Sequence, residues 1–219
     1  FAKCSAEKAQ QLLRAVLPLL CSAPMKLYDI SKEIFSAAVF PGDPAPAFQP
    51  VQRLAEGGHC NLTQVTLGTH SATHMDAPWH FVPGGKTIDQ VELSRCVGPC
   101  QVVEAQGLLE KAWAAAVLQQ GVKRLLLKGQ AQLSVEAAQE LAQGGLLLLG
   151  VEAMSVAPDD DPAPVHRALL EREVAVLESI DLRQVPAGDY ILLAQPLKYG
   201  GLDGAQVRAL LVEGSLEEA

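Results

Sequence analysis

The sequence predicts one α/β domain in which helices flank a mixed β-sheet. Short apolar segments of strand length alternate with Ala- and Leu-rich segments of helix length along the chain. The 219 residues are 49% hydrophobic and 19% charged, which is the composition of a globular chain with a substantial core. No internal repeat or low-complexity linker interrupts the chain, so a single domain is the simplest organisation.

The first 24 residues are predicted to form an amphipathic helix or an extension ahead of a domain at 25–219. Arg14 interrupts their apolar stretch, and the charged segment that begins a signal peptide is weak, so a signal peptide is disfavoured. A helix here would pack on the domain or on a partner subunit. The apolar residues that recur at the spacing of one helix face are Leu12, Leu13, Val16, Leu17 and Leu20.

In the first half of the domain, polar and apolar residues alternate over 62–67, which indicates a strand. The Ala- and Leu-rich segment 108–120 is predicted as a helix that Gly121 ends in a left-handed conformation. Strands are predicted on either side of this helix, and two turn-rich segments are predicted as surface loops. The strands are 101–105 and 122–128, and the loops are 40–48 and 83–86.

In the second half, Ser134 is placed to cap a helix over 135–143 that Gly144 ends. The leucine run at 145–151 is too short for a helix and predicts a buried strand. A Pro- and Asp-rich loop separates this strand from the last elements. These are a helix at 165–172, strands at 174–177 and 190–195, and a segment at 207–212 that fits a strand or a helix.

Composition excludes several classes of protein. The net charge is −8 and no basic stripe is present, which disfavours binding to nucleic acid or to an anionic membrane. No apolar run reaches the roughly 18–20 residues that span a bilayer. The five cysteines are odd in number and never spaced C-x-x-C, which fits a reducing cytoplasm, and Cys96 and Cys100 are interpreted as buried apolar residues.

The chemistry-bearing segment is 70–80, which has the pattern H-x3-H-x-D-x3-H and holds three of the five histidines. Imidazoles with a carboxylate are ligands suited to Zn²⁺, Mn²⁺ or Fe²⁺. Pro78 makes a helix doubtful, whereas on an extended backbone His74 and Asp76 would share a face and bind one ion, together with His70. The fourth polar residue, His80, is predicted to carry protons, because a catalytic metal site needs an acid or base beside its ligands.

The motif resembles the H-x-G-T-H-x-D-x-P-x-H signature of the cyclase-like metal-dependent hydrolases, which include bacterial kynurenine formamidase and isatin hydrolase. Two further segments are similar to this family: FPGDP at 40–44 and GGLDGAQVRA at 200–209. The resemblance runs from about Leu27 to Val212. It implies a swivelling β/β/α fold and a homodimer or higher homo-oligomer.

The resemblance also implies a second metal position. His166 and Glu178 keep the twelve-residue spacing of the family's formamidases. They would hold one ion, Asp76 would bridge to the ion held by His70 and His74, and the metal would be two zinc ions or manganese. Aromatic residues beside the motif are candidates for substrate contact, although Trp79 and Phe81 could equally be packing residues. The candidates are Phe40, Trp79 and Phe81.

The function implied by the resemblance is hydrolysis of a small aromatic amide, with N-formylkynurenine of tryptophan catabolism as the default substrate. The alternatives are isatin or another cyclic amide or lactone, and a metal-dependent binding module without turnover. Two departures from the family bear on the choice. Ala72 replaces a usual glycine, which is tolerable if its φ is negative, and the stretch 153–156 differs near the second metal. His59 is predicted to be an incidental surface residue.

Overall fold

The computed structural model describes residues 26–158 and 160–213. Within them, a nine-stranded mixed sheet is accompanied by two two-stranded sheets and four α-helices. The predicted fold class, a single α/β domain with a mixed sheet, is confirmed. The helix predicted at 1–24 lies outside the described residues, and the domain boundary at 25 stays a prediction.

The strands are β1 (Lys26–Asp29), β2 (Ala47–Gln52), β3 (Leu62–Thr66), β4 (His74–Asp76), β5 (Val97–Glu104), β6 (Gly107–Leu109), β7 (Arg124–Lys128), β8 (Ala131–Leu133), β9 (Leu148–Val151), β10 (Ala175–Glu178), β11 (Gly188–Leu193), β12 (Gly204–Gln206) and β13 (Leu210–Glu213). The helices are α1 (Leu93–Cys96), α2 (Lys111–Leu118), α3 (Val135–Gln143) and α4 (Ala163–Leu170). The segment 207–212, left open between strand and helix, therefore contributes to β13.

The large sheet has the order β1–β13–β11–β5–β7–β9–β10–β4–β12. Its central strands β5, β7, β9 and β10 run parallel, and the flanking strands pair antiparallel. Parallel strands are buried on both faces, which explains the near-continuous leucine runs of β7 and β9. Alternate residues of β7 enter different cores: Leu125 and Leu127 pack beneath α2, α3 and α4, whereas Leu126 lies in the core on the other face. A shift of the β7 pairing by one residue would move each of these leucines to the opposite face of the sheet. The apolar pattern therefore specifies the register of the strand.

The sequence predicts the start of the helix at 135–143 correctly and misplaces the start of the helix at 108–120. Ser134 caps α3 as predicted, because its hydroxyl accepts a hydrogen bond from the Ala137 amide at 3.2 Å; such a cap contributes about 1 kcal/mol. The helix predicted at 108–120 begins only at Lys111. Its first residues instead form β6, which pairs in parallel with β8. Gly121 ends the segment with a φ of 76°, as predicted.

A two-stranded hairpin, β2 and β3, extends from the domain. The predicted strand near 62–67 is present as β3, but both faces of the hairpin are exposed. The hairpin joins the FPGDP loop to the segment that carries His70, so it frames the functional site. Elsewhere, Cys96 and Cys100 are buried as expected, and His59 is exposed. None of the helices in the described part of the chain combines the length and apolar character needed to cross a membrane.

Candidate metal centre

Two neighbouring strands bring the first polar residues together. β4 pairs antiparallel with β10, and His74 lies directly opposite Glu178. Because β4 is extended, His74 and Asp76 project from the same face, as the extended-backbone interpretation predicted. All three side chains are buried, with 4%, 4% and 1% of the surface of His74, Glu178 and Asp76 exposed.

The first cluster forms around one oxygen of Asp76. Its Oδ1 lies 3.0 Å from Nδ1 of His70 and 3.4 Å from Nε2 of His74. Ligands that bind one ion through bonds of about 2.1 Å in tetrahedral geometry are about 3.4 Å apart. These three side chains are therefore close enough together to hold one metal ion.

The second cluster forms around the other oxygen of Asp76. Nε2 of His166, on α4, lies 3.6 Å from Asp76 Oδ2 and 3.2 Å from Oε1 of Glu178. The other ring nitrogen of His166 donates a hydrogen bond to the Pro162 carbonyl at 2.8 Å, which directs Nε2 toward the carboxylates. Asp76, His166 and Glu178 form a second set that could hold an ion.

The donor set fits a divalent cation. Oδ2 of Asp76 is buried and has no hydrogen-bond partner among the described residues, and a buried unpaired carboxylate oxygen is costly. Burial alone would lower the pKa of His74, but the Asp76 and Glu178 carboxylates raise it to about 10. The two carboxylates therefore create a demand for positive charge, which metal ions would satisfy. Imidazole and carboxylate ligands suit zinc and manganese.

The backbone near these ligands is left-handed at two residues that carry a Cβ, Ala72 and Ser179, which follows Glu178. Ala72 has a φ of 57°, so the negative φ that would make it a strain-free replacement for glycine is absent. The turn is held in place because the Ala72 carbonyl accepts a hydrogen bond from Nδ1 of His74 at 2.9 Å. That bond leaves Nε2 of His74 facing the carboxylates.

His80 lies beside the two clusters that share Asp76 and outside both, although His70, His80 and Asp203 form a third group whose atoms are close enough to hold an ion. It ends a 3₁₀ turn, Pro78–His80, and its ring stacks on that of His70 with 4.0 Å between ring centroids. Burial lowers the pKa of His80, and the neighbouring imidazoles of His70 and His166 lower it further, against the opposing effect of Asp76. The lowered pKa of His80 favours its neutral imidazole form.

A cavity of about 200 Å³ opens onto the polar clusters. Two of the three aromatic candidates, Phe40 and Phe81, line it, and Met154 and Ser155 bring the stretch that departs from the family into its wall. The third candidate lies elsewhere. Trp79 is 47% exposed and lies outside the cavity wall, because the 3₁₀ turn directs it to the surface.

Two further carboxylates near the site were not singled out from the sequence. Asp43 lines the cavity. Oδ2 of Asp203 lies 3.0 Å from Nε2 of His70 and 3.5 Å from Nδ1 of His80. Both belong to motifs that marked the family resemblance, FPGDP and GGLDGAQVRA. The signal was therefore present, but the motifs give no role for either carboxylate until the fold brings them to the histidines.

Known proteins share this sequence pattern and fold. Residues 28–125 match the family described as "Putative cyclase". A potential metal-dependent hydrolase with cyclase activity is 26% identical over 87% of this chain and 99% of that chain, with a TM-score of 0.74. A predicted metal-dependent hydrolase from Bacillus stearothermophilus is 26% identical over 88% of this chain and 100% of that chain, with the same TM-score of 0.74.

A more distant likeness concerns the fold alone. Isatin hydrolase A from Labrenzia aggregata, solved with benzyl benzoate bound, is 20% identical over 93% of this chain and 99% of that chain, with a TM-score of 0.75. The sequence match and the hydrolase structures agree with the motif at 70–80. The chain is therefore similar to the cyclase family over residues 28–125 and, in its fold, to metal-dependent hydrolases.

Proposed function

We propose that this protein is an amidohydrolase that cleaves a small aromatic amide, and that its substrate is N-formylkynurenine, giving kynurenine and formate. The observation that carries the proposal is the position of Asp76 between two ligand clusters, with His80 beside them and outside both. A purely structural metal site would be closed by four protein ligands and would not need a spare imidazole at its edge.

Five residues would hold the metal, and they fall into two sets that share one member. His70, His74 and Asp76 would bind one ion, and Asp76, His166 and Glu178 a second. We infer two zinc ions, with manganese as the alternative, from the imidazole and carboxylate donors. When bound, divalent ions polarise the substrate carbonyl and lower the pKa of water.

His80 would act as the acid and base of the reaction. Its lowered pKa leaves the imidazole neutral at pH 7, ready to accept a proton from the attacking water. Nδ1 of His80 lies 3.5 Å from the Asp203 carboxylate, so Nε2 is the nitrogen left for this transfer. The same Nε2–H would then return the proton to the departing amide nitrogen, which makes the amine a viable leaving group.

The cavity wall supports an aromatic substrate that carries a positive charge. Phe40, Phe81 and Met154 offer apolar surface to a ring, while Asp43 adds a carboxylate outside the two ligand clusters. Among the described residues that line the wall there is neither Lys nor Arg. N-formylkynurenine combines an aromatic formamide with a zwitterionic α-amino acid group, whose ammonium Asp43 would attract, whereas isatin is neutral. This feature favours the formamide substrate.

Hydrolysis of isatin or another cyclic amide is the second candidate, and the fold shared with an isatin hydrolase supports it. Assaying metal-loaded protein with N-formylkynurenine and isatin side by side separates the two. We expect formate release from N-formylkynurenine at the higher kcat/KM. Inactivity on both would reject both substrates, and a folded Asp76→Asn protein that retained wild-type hydrolysis would reject this site as the catalytic one.

Two further expectations follow from the sequence and the family resemblance. We infer a homodimer or higher homo-oligomer, which sedimentation analysis of the full chain would test.

We also infer a cytoplasmic protein, since its cysteines are few and none are spaced as C-x-x-C. The three cysteines in the described residues, Cys60, Cys96 and Cys100, form no disulfide.

A further inference from the structure

Asp203 contacts the outer nitrogens of two histidines that the proposed reaction uses differently. Oδ2 of Asp203 lies 3.0 Å from Nε2 of His70, a proposed metal ligand, and 3.5 Å from Nδ1 of His80, the proposed proton carrier. The rings of His70 and His80 stack, 29° from parallel. One carboxylate oxygen of Asp203 therefore lies near a ring nitrogen of each imidazole.

The backbone around Asp203 holds it against this pair. β12 begins at Gly204, directly opposite Asp76 on β4, and the Asp203 carbonyl accepts a hydrogen bond from the Ala77 amide at 2.9 Å. A Cβ at Gly204 would lie 2.8 Å from Cε1 of His70, which is closer than such contacts allow. The strand thus packs directly on the His70 ring, and the preceding Asp203 is kept beside it.

The hydrogen bonds of His70 indicate which of its ring nitrogens is available to a metal ion. Nδ1 of His70 faces Asp76 and Nε2 faces Asp203, both at 3.0 Å. A neutral imidazole has one N–H, and a metal ligand must offer its other nitrogen without a proton. With Asp203 accepting from Nε2–H, Nδ1 is the nitrogen available for the metal. Such outer partners fix ring orientation and raise ligand basicity.

We propose that Asp203 is a positioning residue that fixes the Nε2–H tautomer of His70 by a hydrogen bond and, by its charge 3.5 Å from Nδ1 of His80, favours the Nδ1–H tautomer of His80, which leaves Nε2 of His80 for proton transfer. This inference rests on the proposed function. Asp203 acts through the two histidines and does not contact the substrate, because it lies outside the wall of the cavity.

A purely structural role would explain part of the same geometry. Oδ1 of Asp203 accepts a hydrogen bond from the Thr69 hydroxyl at 3.0 Å, which ties down the loop that carries His70. The Gln206 amide anchors the same loop independently, donating to the carbonyls of Gly68 and Thr69 at 2.7 and 3.2 Å. Thr69→Val therefore removes the loop contact of Asp203 while leaving its contacts to both histidines, and serves as the matched control.

The test compares wild-type protein, Asp203→Asn and Thr69→Val. Zinc affinity is measured by chelator competition, and kcat and KM are measured with N-formylkynurenine as substrate. The imidazole tautomers are determined by ¹⁵N NMR of the zinc-loaded wild-type protein. For Asp203→Asn we expect zinc affinity about 10- to 100-fold weaker and a lower kcat at similar KM. Thr69→Val should change neither. In the wild type, His70 should carry its proton on Nε2.

Three results would overturn the proposal: wild-type zinc affinity in Asp203→Asn, equal losses in Thr69→Val and Asp203→Asn, or a proton on Nδ1 of His70. The NMR experiment uses only wild-type protein, so it decides the matter even if Asp203→Asn fails to fold. If the wild type hydrolyses none of the amides, the proposed function fails. Zinc affinity and the tautomer would still test the role of Asp203 separately.

Discussion

Oδ2 of Asp76 lies 3.6 Å from Nε2 of His166, although 90 residues separate them in the sequence. The same oxygen has no hydrogen-bond partner among the described residues. Its sister oxygen faces the imidazoles of His70 and His74. One buried carboxylate thus belongs to both of these ligand sets, each of which could hold a metal ion.

Loss of His80 is expected to slow catalysis strongly without loss of metal. His80→Gln should lower kcat by about 10²- to 10⁴-fold, the usual contribution of a positioned acid or base, because His80 lies outside both ligand clusters. Elemental analysis should find the wild-type metal content. His59→Gln, at an exposed histidine, is the control and should keep full activity. Wild-type turnover in His80→Gln would exclude His80 as the proton carrier.

Relief of the strain at Ala72 is expected to stabilise the protein. A left-handed residue with a Cβ costs roughly 1–2 kcal/mol, and glycine loses part of this gain through its greater freedom when unfolded. Ala72→Gly should therefore raise the free energy of unfolding by about 0.5–1 kcal/mol, as measured by urea denaturation. Ala77→Gly is the control, since Ala77 is buried with a φ of −88°, and it should destabilise. A less stable Ala72→Gly protein would contradict this account of the turn.

The metal-free protein is expected to lose stability as the pH rises. The folded-state pKa of His74 is raised to about 10 from 6.5, so its stabilising contribution is complete below pH 6.5 and lost as the pH rises through about 10. The pKa values of Asp76 and Glu178 are lowered from 3.8 and 4.5, so their contribution is lost in acid. Tm in the presence of chelator should therefore be highest near pH 4.5–6.5.

Metal loading should remove much of this alkaline loss, because the ions replace the protons that otherwise balance the buried carboxylates. Thermal unfolding with and without added zinc, from pH 5 to 10, measures the difference directly. A metal-free Tm that rises between pH 6.5 and 9 would show that protonated imidazoles do not stabilise the cluster.

Asp43 is expected to favour substrates with an ammonium group. Exposed ion pairs contribute roughly 0.2–1 kcal/mol, so Asp43→Asn should lower kcat/KM for N-formylkynurenine by about 1.4- to 5-fold. Hydrolysis of the neutral substrate formanilide should not change, which makes it the internal control. Equal effects on the two substrates would indicate that Asp43 acts on the cavity wall and does not select charge.

Local patterns in the sequence were sufficient to predict much of the fold. Ser134 and Gly121 defined helix ends through their own side-chain and backbone chemistry. The start of α2 was misplaced because residues 107–109 pair with a strand more than twenty residues away. Such long-range pairing overrides the local helix preference of Leu108.

In the candidate site, too, some residues could be placed from local sequence and others only from the fold. His74 and Asp76 could be placed together from their spacing on an extended strand. The resemblance brought in His166 and Glu178, while the contacts of Asp203 depend on the antiparallel pairing of β12 with β4. The outward direction of Trp79 and the positive φ of Ala72 follow from turn geometry that residue identity alone does not specify.

The central claim is that Asp76 joins two ions, and metal content tests it most directly. Elemental analysis of wild-type protein should find two zinc or manganese ions per chain. Glu178→Gln should retain one, because the set of His70, His74 and Asp76 is intact, and the exposed Glu104→Gln control should retain two. A single ion in the wild type, or two in Glu178→Gln, would contradict the account.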